Sequence, residues 1–153
     1  AVKRAARQGY PWLINPHVTV PTASRQVAMY REVAGQAVAE MPMMRELYVD
    51  VDRGSALQKA RPYLEPKYKA YAAWGQADVL PSGESFSLPF DELADDRFLI
   101  GTANDVINEI ERYENELGVS YMIFRMQWPG MPHEEVMRQI QIFGERIIPH
   151  FAK

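Results

Sequence analysis

Val119-Ser120-Tyr121-Met122-Ile123-Phe124-Arg125-Met126 is the stretch on which the fold turns. It is apolar at nearly every position, the pattern expected of a strand covered on both faces in a parallel sheet. Working backwards, Thr102 and Asp105 form an [ST]-x-x-[DE] helix entry, close to a capping box. Val106, Ile110, Tyr113 and Leu117 then recur at helical spacing, and Gly118 closes that helix. Working forwards, Trp128-Pro129-Gly130 makes a turn. A last helix follows, with Val136, Ile140, Phe143 and Ile147 on one side and Pro149 as its stop.

The upstream half supplies more alternation of the same kind. Ala1 to Gln8 reads as a helix body, which Gly9 stops. Trp12-Leu13-Ile14, between Pro11 and Pro16, reads as a brief buried strand. Thr22 is expected to cap a helix whose stripe runs Val27, Tyr30, Ala34, Val38 and Met41, passing through Gly35. Glu46 to Asp52 alternates in the strand period. Ser55 is a candidate cap for the next helix, which buries Leu57, Ala60 and Leu64 and shares a face with Tyr68, Tyr71 and Trp74. Pro62 and Pro66 predict a kink or two pieces there, and Gly75 an end. Residues 77–90 hold the Pro/Gly/Ser-rich run Leu80 to Ser85, a loop insertion by composition. Order returns at Phe98-Leu99-Ile100-Gly101.

Strands separated by helical crossovers predict an α/β fold with parallel βαβ units. A doubly wound nucleotide domain should carry a Gly-rich turn after its first strand, and none is present. That favours a partial TIM (β/α)8 barrel. The totals agree with one compact unit: 153 residues, 47% hydrophobic and 24% charged. A net charge of -3 leaves no basic footprint for nucleic acid. No apolar run approaches the roughly 18 residues that span a bilayer. The absence of cysteine excludes disulfides, thiolate nucleophiles and Cys-ligated metal, and permits a cytoplasmic location. The chain opens inside a helix with neither Met nor a capping residue, which is expected of a cut edge.

Four stretches carry a family resemblance. They are Asp96 to Thr102 with the helix ending Glu116-Leu117-Gly118-Val119; Ile123 to Met131; Phe143 to Phe151; and Val2 to Arg7 with Gly9 and Trp12. Together they resemble the bacterial luciferase-like, flavin-dependent monooxygenases, in the right order over nearly the whole chain. The resemblance implies a TIM barrel of which residues 1–153 hold the last three strands, as one C-terminal part. It implies an oxidoreductase using FMN or the related deazaflavin coenzyme, with dioxygen, on a small organic substrate. The family binds the flavin phosphate in a loop just before the helix that here begins at Ala1. The part alone is expected to be inactive, and to associate with itself or with the missing barrel half, because three strands leave sheet edges and an apolar inner face open.

In such barrels function sits at the C-terminal ends of strands. That rule selects Asn15 and His17, Asp50 and Asp52, and Arg125, Gln127 and Trp128. Arg125, closing an apolar strand, needs an anionic partner: a flavin, a substrate anion or a neighbouring carboxylate. Trp128 packs either on a ligand or beneath the Pro129-Gly130 turn. His17 is a candidate base or hydrogen-bond donor, or an incidental loop residue. Asp50 and Asp52 share a strand face, and read more simply as a solvated strand end than as an acid/base pair. His133 and His150 are too far apart for a ligand pair, and no metal is expected. The 77–90 loop is a candidate lid or a mobile insertion. Two further readings stand beside the enzyme: a non-catalytic flavin-binding or assembly protein from the same barrel, and a βα module unrelated to flavin.

Overall fold

A computed structural model describes residues 1–35 and 40–152. Its elements are α1 (Val2–Arg7), α2 (Val20–Ala34), β1 (Pro42–Val49), α3 (Arg53–Ala73), α4 (Phe90–Ala94), β2 (Phe98–Gly101), α5 (Ala103–Leu117), β3 (Tyr121–Arg125), α6 (His133–Ile142) and α7 (Ile148–Phe151). A π-turn, Phe143–Ile147, joins the last two helices. The strands form one parallel sheet in the order β2-β1-β3. Glu46 on the central strand lies opposite Phe98 on one side and Arg125 on the other.

Each face of this sheet has its own core. Met43, Leu47, Val49 and Leu99 point into a cluster with Val27 and Tyr30 of α2 and Val106, Ile110, Tyr113 and Leu117 of α5. Residues one step along each strand, Tyr48, Phe98 and Ile100, point the other way and pack on Ala56, Ala60, Leu64 and Tyr68 of α3 and on Phe90 and Leu93. This second layer covers β2 and the C-terminal end of β1. It leaves Met44, Tyr121, Ile123 and Arg125 facing outward, with Tyr121 60% exposed.

The α5 segment folds as its sequence dictates. Thr102 and Asp105 make the reciprocal capping box, and Gly118 closes the helix at φ 67°. Other expectations need correction. The stretch Trp12–Ile14 is not a strand: Ile14 alone bridges Met43, while Leu13 is 41% exposed. The sheet instead takes in Phe98–Gly101 as β2, buried along its length. β3 is not covered on both faces. Met122 and Phe124 pack inward, yet among the described residues the opposite face and outer edge have no cover. β1 starts at Pro42 instead of Glu46 and ends before Asp50.

The helices differ in instructive ways too. α2 begins at Val20 with Thr19 as N-cap, because Pro21 occupies the first turn, where its missing N–H costs nothing. It stops at Ala34, since Gly35 adopts φ 65° and caps it. Val38 lies outside the described residues. α3 runs unbroken through Pro62 and Pro66, both exposed, so the carbonyls they leave unpaired face water. Its cap is Asp52, which accepts from the Ser55 N–H at 2.8 Å. In α6 the buried position is Gln139 and not Ile140, which is 49% exposed. Pro149 does not end the helix; it opens α7 after the π-turn.

Candidate functional site

The loop after Ile14 is fixed more firmly than its lack of regular structure suggests. Arg45, fully buried on β1, donates to the carbonyls of Asn15 (3.3 Å), Pro16 (2.8 Å) and Val18 (3.1 Å). Arg97, also buried, donates from Nε to the His17 carbonyl at 3.1 Å. Asn15 Oδ1 accepts from the His17 N–H at 2.9 Å, an Asx turn. Two guanidiniums thus satisfy four consecutive loop carbonyls. Glu84 completes the clamp: it binds Arg97 at 3.0 Å and accepts from the Thr19 hydroxyl at 2.7 Å. Burial opposes the Glu84 charge, but hydrogen bonds from Thr22 and Thr19 and the charge of Arg97 hold its carboxyl below the ordinary value. The 77–90 segment is therefore anchored at Glu84 and at buried Phe86, against the loop it might have lidded.

His17 itself sits edge-on to Tyr68, Tyr71 and Phe86, with ring centroids 5.7, 5.2 and 6.2 Å away. Its Nδ1 lies 3.1 Å from the Tyr68 hydroxyl. Burial first, then the positive charges of Lys67, Arg125 and Arg45, lower its pKa to about 4. The ring is uncharged at neutral pH.

One residue before Tyr68 on α3, Lys67 reaches Glu46 Oε1, and Trp128 Nε1 donates to Glu46 Oε2 at 2.6 Å. Trp128 is fully buried and stacks near Tyr48, so its ring packs beneath the turn and is not free to face a ligand. Arg125 and Gln127 are exposed. Gln127 Nε2 donates to the Trp128 carbonyl at 3.2 Å, and Arg125 has no ion pair among the described residues. With Met44, Ile123, Phe124 and Met126 they line a shallow depression of about 310 Å³ at the C-terminal end of β3. α3 therefore draws the candidates towards one strand end: Asn15 and His17 through Tyr68, Trp128 through Glu46 and Lys67.

A larger cavity, about 700 Å³, lies at the other end of β3 between α5 and the C-terminal helix. Arg125 and Gln127 line the depression and not this cavity. Asp50 is buried and paired with Lys59 at 2.5 Å, and Asp52 is a helix cap; they do not form a pair. His133 is exposed, and His150 meets Glu111 at 2.8 Å on the surface. Among the described residues no group of acidic or imidazole side chains suits a metal, and no helix is long and apolar enough to cross a membrane.

Sequence reasoning missed Arg45, Glu46, Lys67, Tyr68, Glu84 and Arg97. Two signals were readable: adjacent charges inside an apolar strand at Arg45-Glu46, and an arginine just before an apolar run at Arg97. Their partners lie far along the chain and leave no local trace.

No protein-family model and no curated protein matches the chain. Solved structures do. The monooxygenase RslO1 from Streptomyces bottropensis superposes with a TM-score of 0.76 at 24% identity, over 99% of this chain and 45% of that one. A type II Baeyer-Villiger monooxygenase, the oxygenating constituent of 3,6-diketocamphane monooxygenase from the CAM plasmid of Pseudomonas putida in complex with FMN, gives 0.64 at 12% identity. It covers 97% of this chain and 44% of that one. Flavoprotein 390 gives 0.62 at 14% identity, over 99% and 65%. The chain thus spans a little under half the length of these two monooxygenases and about two thirds of the flavoprotein. At these identities the likeness establishes the fold alone: a small parallel sheet flanked by helices, shared with part of each of these chains.

In the depression at the end of β3, Met44 and Ile123 present an apolar surface, bordered by the Arg125 guanidinium and the Gln127 amide as donors.

Proposed function

We propose that residues 1–153 form the C-terminal part of a luciferase-like monooxygenase barrel, with 77–90 as an insertion. The whole would be an oxidoreductase using reduced flavin and dioxygen on a small organic substrate. One observation carries the reading. His17, on a loop clamped by two buried arginines, feels the charge of Arg125, which closes β3 next to an open sheet face. FMN or the deazaflavin coenzyme, held by Arg125 and Gln127 against Met44 and Ile123, would supply the redox chemistry. This chain's own residues would orient the ring, exclude water with the aromatic cluster on α3, and offer fixed hydrogen bonds. The remaining barrel strands would cover the β3 edge and close the site, so the part alone is expected to show no turnover.

Titration of the chain with FMN, followed by flavin absorbance and fluorescence, tests the binding step. The expected result is saturable quenching that Arg125→Ala weakens. An unchanged flavin spectrum at millimolar chain would reject the reading in favour of a βα module unrelated to flavin. The likeness to a protein named only as a flavoprotein favours a second reading, a non-catalytic flavin-binding protein. Oxygen uptake with reduced flavin, measured on the closed barrel, separates the two.

A further inference from the structure

We infer that Tyr68 is a positioning residue that fixes His17 as an uncharged donor, whose Nε2–H bonds a carbonyl or anionic oxygen on a planar conjugated ligand. The inference rests on the proposed site only for where that ligand lies.

Hydrogen-bond accounting sets the tautomer. The Tyr68 hydroxyl is buried, and His17 Nδ1 at 3.1 Å is its only partner among the described residues. If Nδ1 carried the proton, it would donate to the Tyr68 oxygen and leave the buried Tyr68 O–H without an acceptor among the described residues, a desolvation cost. Tyr68 therefore donates and Nδ1 accepts. Burial raises the Tyr68 pKa well above its ordinary value, so the phenol keeps its proton to donate. An uncharged imidazole whose Nδ1 is an acceptor carries its hydrogen on Nε2. That atom has no partner among the described residues and is not among the buried unpartnered atoms, so it remains open to a ligand.

The surroundings define what the donor would meet. Lys67 from α3, Arg125 from β3 and Arg45 from β1 bring positive charge close to the ring. Lys67 is neutralised by Glu46 and Arg45 is spent on loop carbonyls, which leaves the Arg125 charge for a ligand oxygen. Tyr71 stands 5.2 Å from His17 and 5.9 Å from exposed Trp74, so flat aromatic surface borders the same place. A conjugated ring bearing a carbonyl or anionic oxygen matches both features. The flavin and an aromatic ketone substrate share that chemistry.

The buried arginines fix the backbone of the His17 loop, while Tyr68, Tyr71 and Phe86 border the ring, so a donor direction is built in before any ligand arrives.

Long-range proton–nitrogen NMR of the labelled chain, which has three histidines, reads the tautomer directly. The expected spectrum has one histidine, absent from His17→Gln, as the uncharged Nε2–H form from pH 8 to pH 5. In Tyr68→Phe that signal should move to averaged tautomers. A Nδ1–H form or an imidazolium at pH 6.5 would overturn the inference. FMN and 4-hydroxyacetophenone, titrated separately, tell cofactor from substrate. The one that binds here should shift the His17 Nε2 proton and bind about tenfold more weakly to Tyr68→Phe. His17→Gln, whose amide nitrogen stands near the Nε2 position, should retain affinity that His17→Asn loses. Fixed tautomer without a shift from either probe would refute the ligand contact while leaving flavin binding at Arg125 to its own titration. Equal affinity in Gln and Asn variants would also refute it.

Discussion

Trp128 Nε1, in the turn after β3, donates to Glu46 Oε2 on β1 at 2.6 Å, with both side chains buried. Lys67 takes the other carboxylate oxygen, so a strand end, a turn and the long α3 helix meet on one carboxylate. Burial pushes the Lys67 pKa down against the attraction of Glu46, which marks the site as poorly solvated. Such a cluster is satisfied only as a whole.

Glu46→Leu strands Lys67 without its counter-ion and Trp128 without its acceptor. Breaking one partner of a buried pair costs about 3–5 kcal/mol. The double change Glu46→Leu with Lys67→Met removes the charge from both sides and should recover most of that loss. Urea denaturation of wild type, single and double variants checks it. Equal loss in the single and double variants would show that the pair is not coupled.

Arg45→Lys tests the loop clamp. An ammonium on a flexible stem cannot reproduce a planar fork that spans three carbonyls. Losing charge-assisted bonds to buried carbonyls should cost at least about 2 kcal/mol. Amide exchange near the loop, at His17 and Thr19, should accelerate more than exchange in α5. Uniform acceleration across the chain would instead mean that Arg45 supports the whole core.

These clamps also explain what could be read from sequence. Local codes were legible: the Thr102–Asp105 box, the Gly118 stop and the α5 stripe all depend on neighbours within a few residues. Parallel alternation was legible because helices and strands differ in period. Strand limits were not. Trp12–Ile14 and Phe98–Gly101 are both short and apolar, and only tertiary pairing selected the second. Arg125, Gln127 and His17 came from the strand-end rule, yet what holds them is non-local: Arg45 acts some thirty residues from its carbonyls, and Tyr68 fifty-one residues from His17. Gln139 was hidden for the same reason, as its two bonds to Val49 cap the β1 end from a distant helix.

Acid should weaken the fold through His17 in a defined window. Its folded pKa, about 4, lies below the ordinary 6.5, so the unfolded chain binds the proton more readily. The contribution is full above pH 6.5, falls as pH drops, and is gone below about 4. The slope it adds is at most about 1.4 kcal/mol per pH unit. Denaturation midpoints at pH 7.5, 6, 5 and 4.5 for wild type and His17→Phe isolate it from the carboxylates that also titrate. The variant should lose less stability over that range; parallel curves would mean the imidazole is not held neutral.

The uncovered side of β3 makes the last prediction. Tyr121 and Ile123 alternate outward from a strand whose free edge offers unpaired backbone groups, and Met137, Ile140 and Ile148 add exposed apolar surface on the neighbouring helices. A parallel edge of this kind templates pairing with another strand. If the rest of a barrel normally covers it, residues 1–153 by themselves should associate as concentration rises. Sedimentation velocity from micromolar to hundreds of micromolar should show growth beyond monomer. Ile123→Lys, which puts a charge on the open face without touching the packed Met122 and Phe124, should suppress it while circular dichroism stays unchanged. A monomer at every concentration would mean that this face needs no cover, and would remove the reason for placing further strands beside β3.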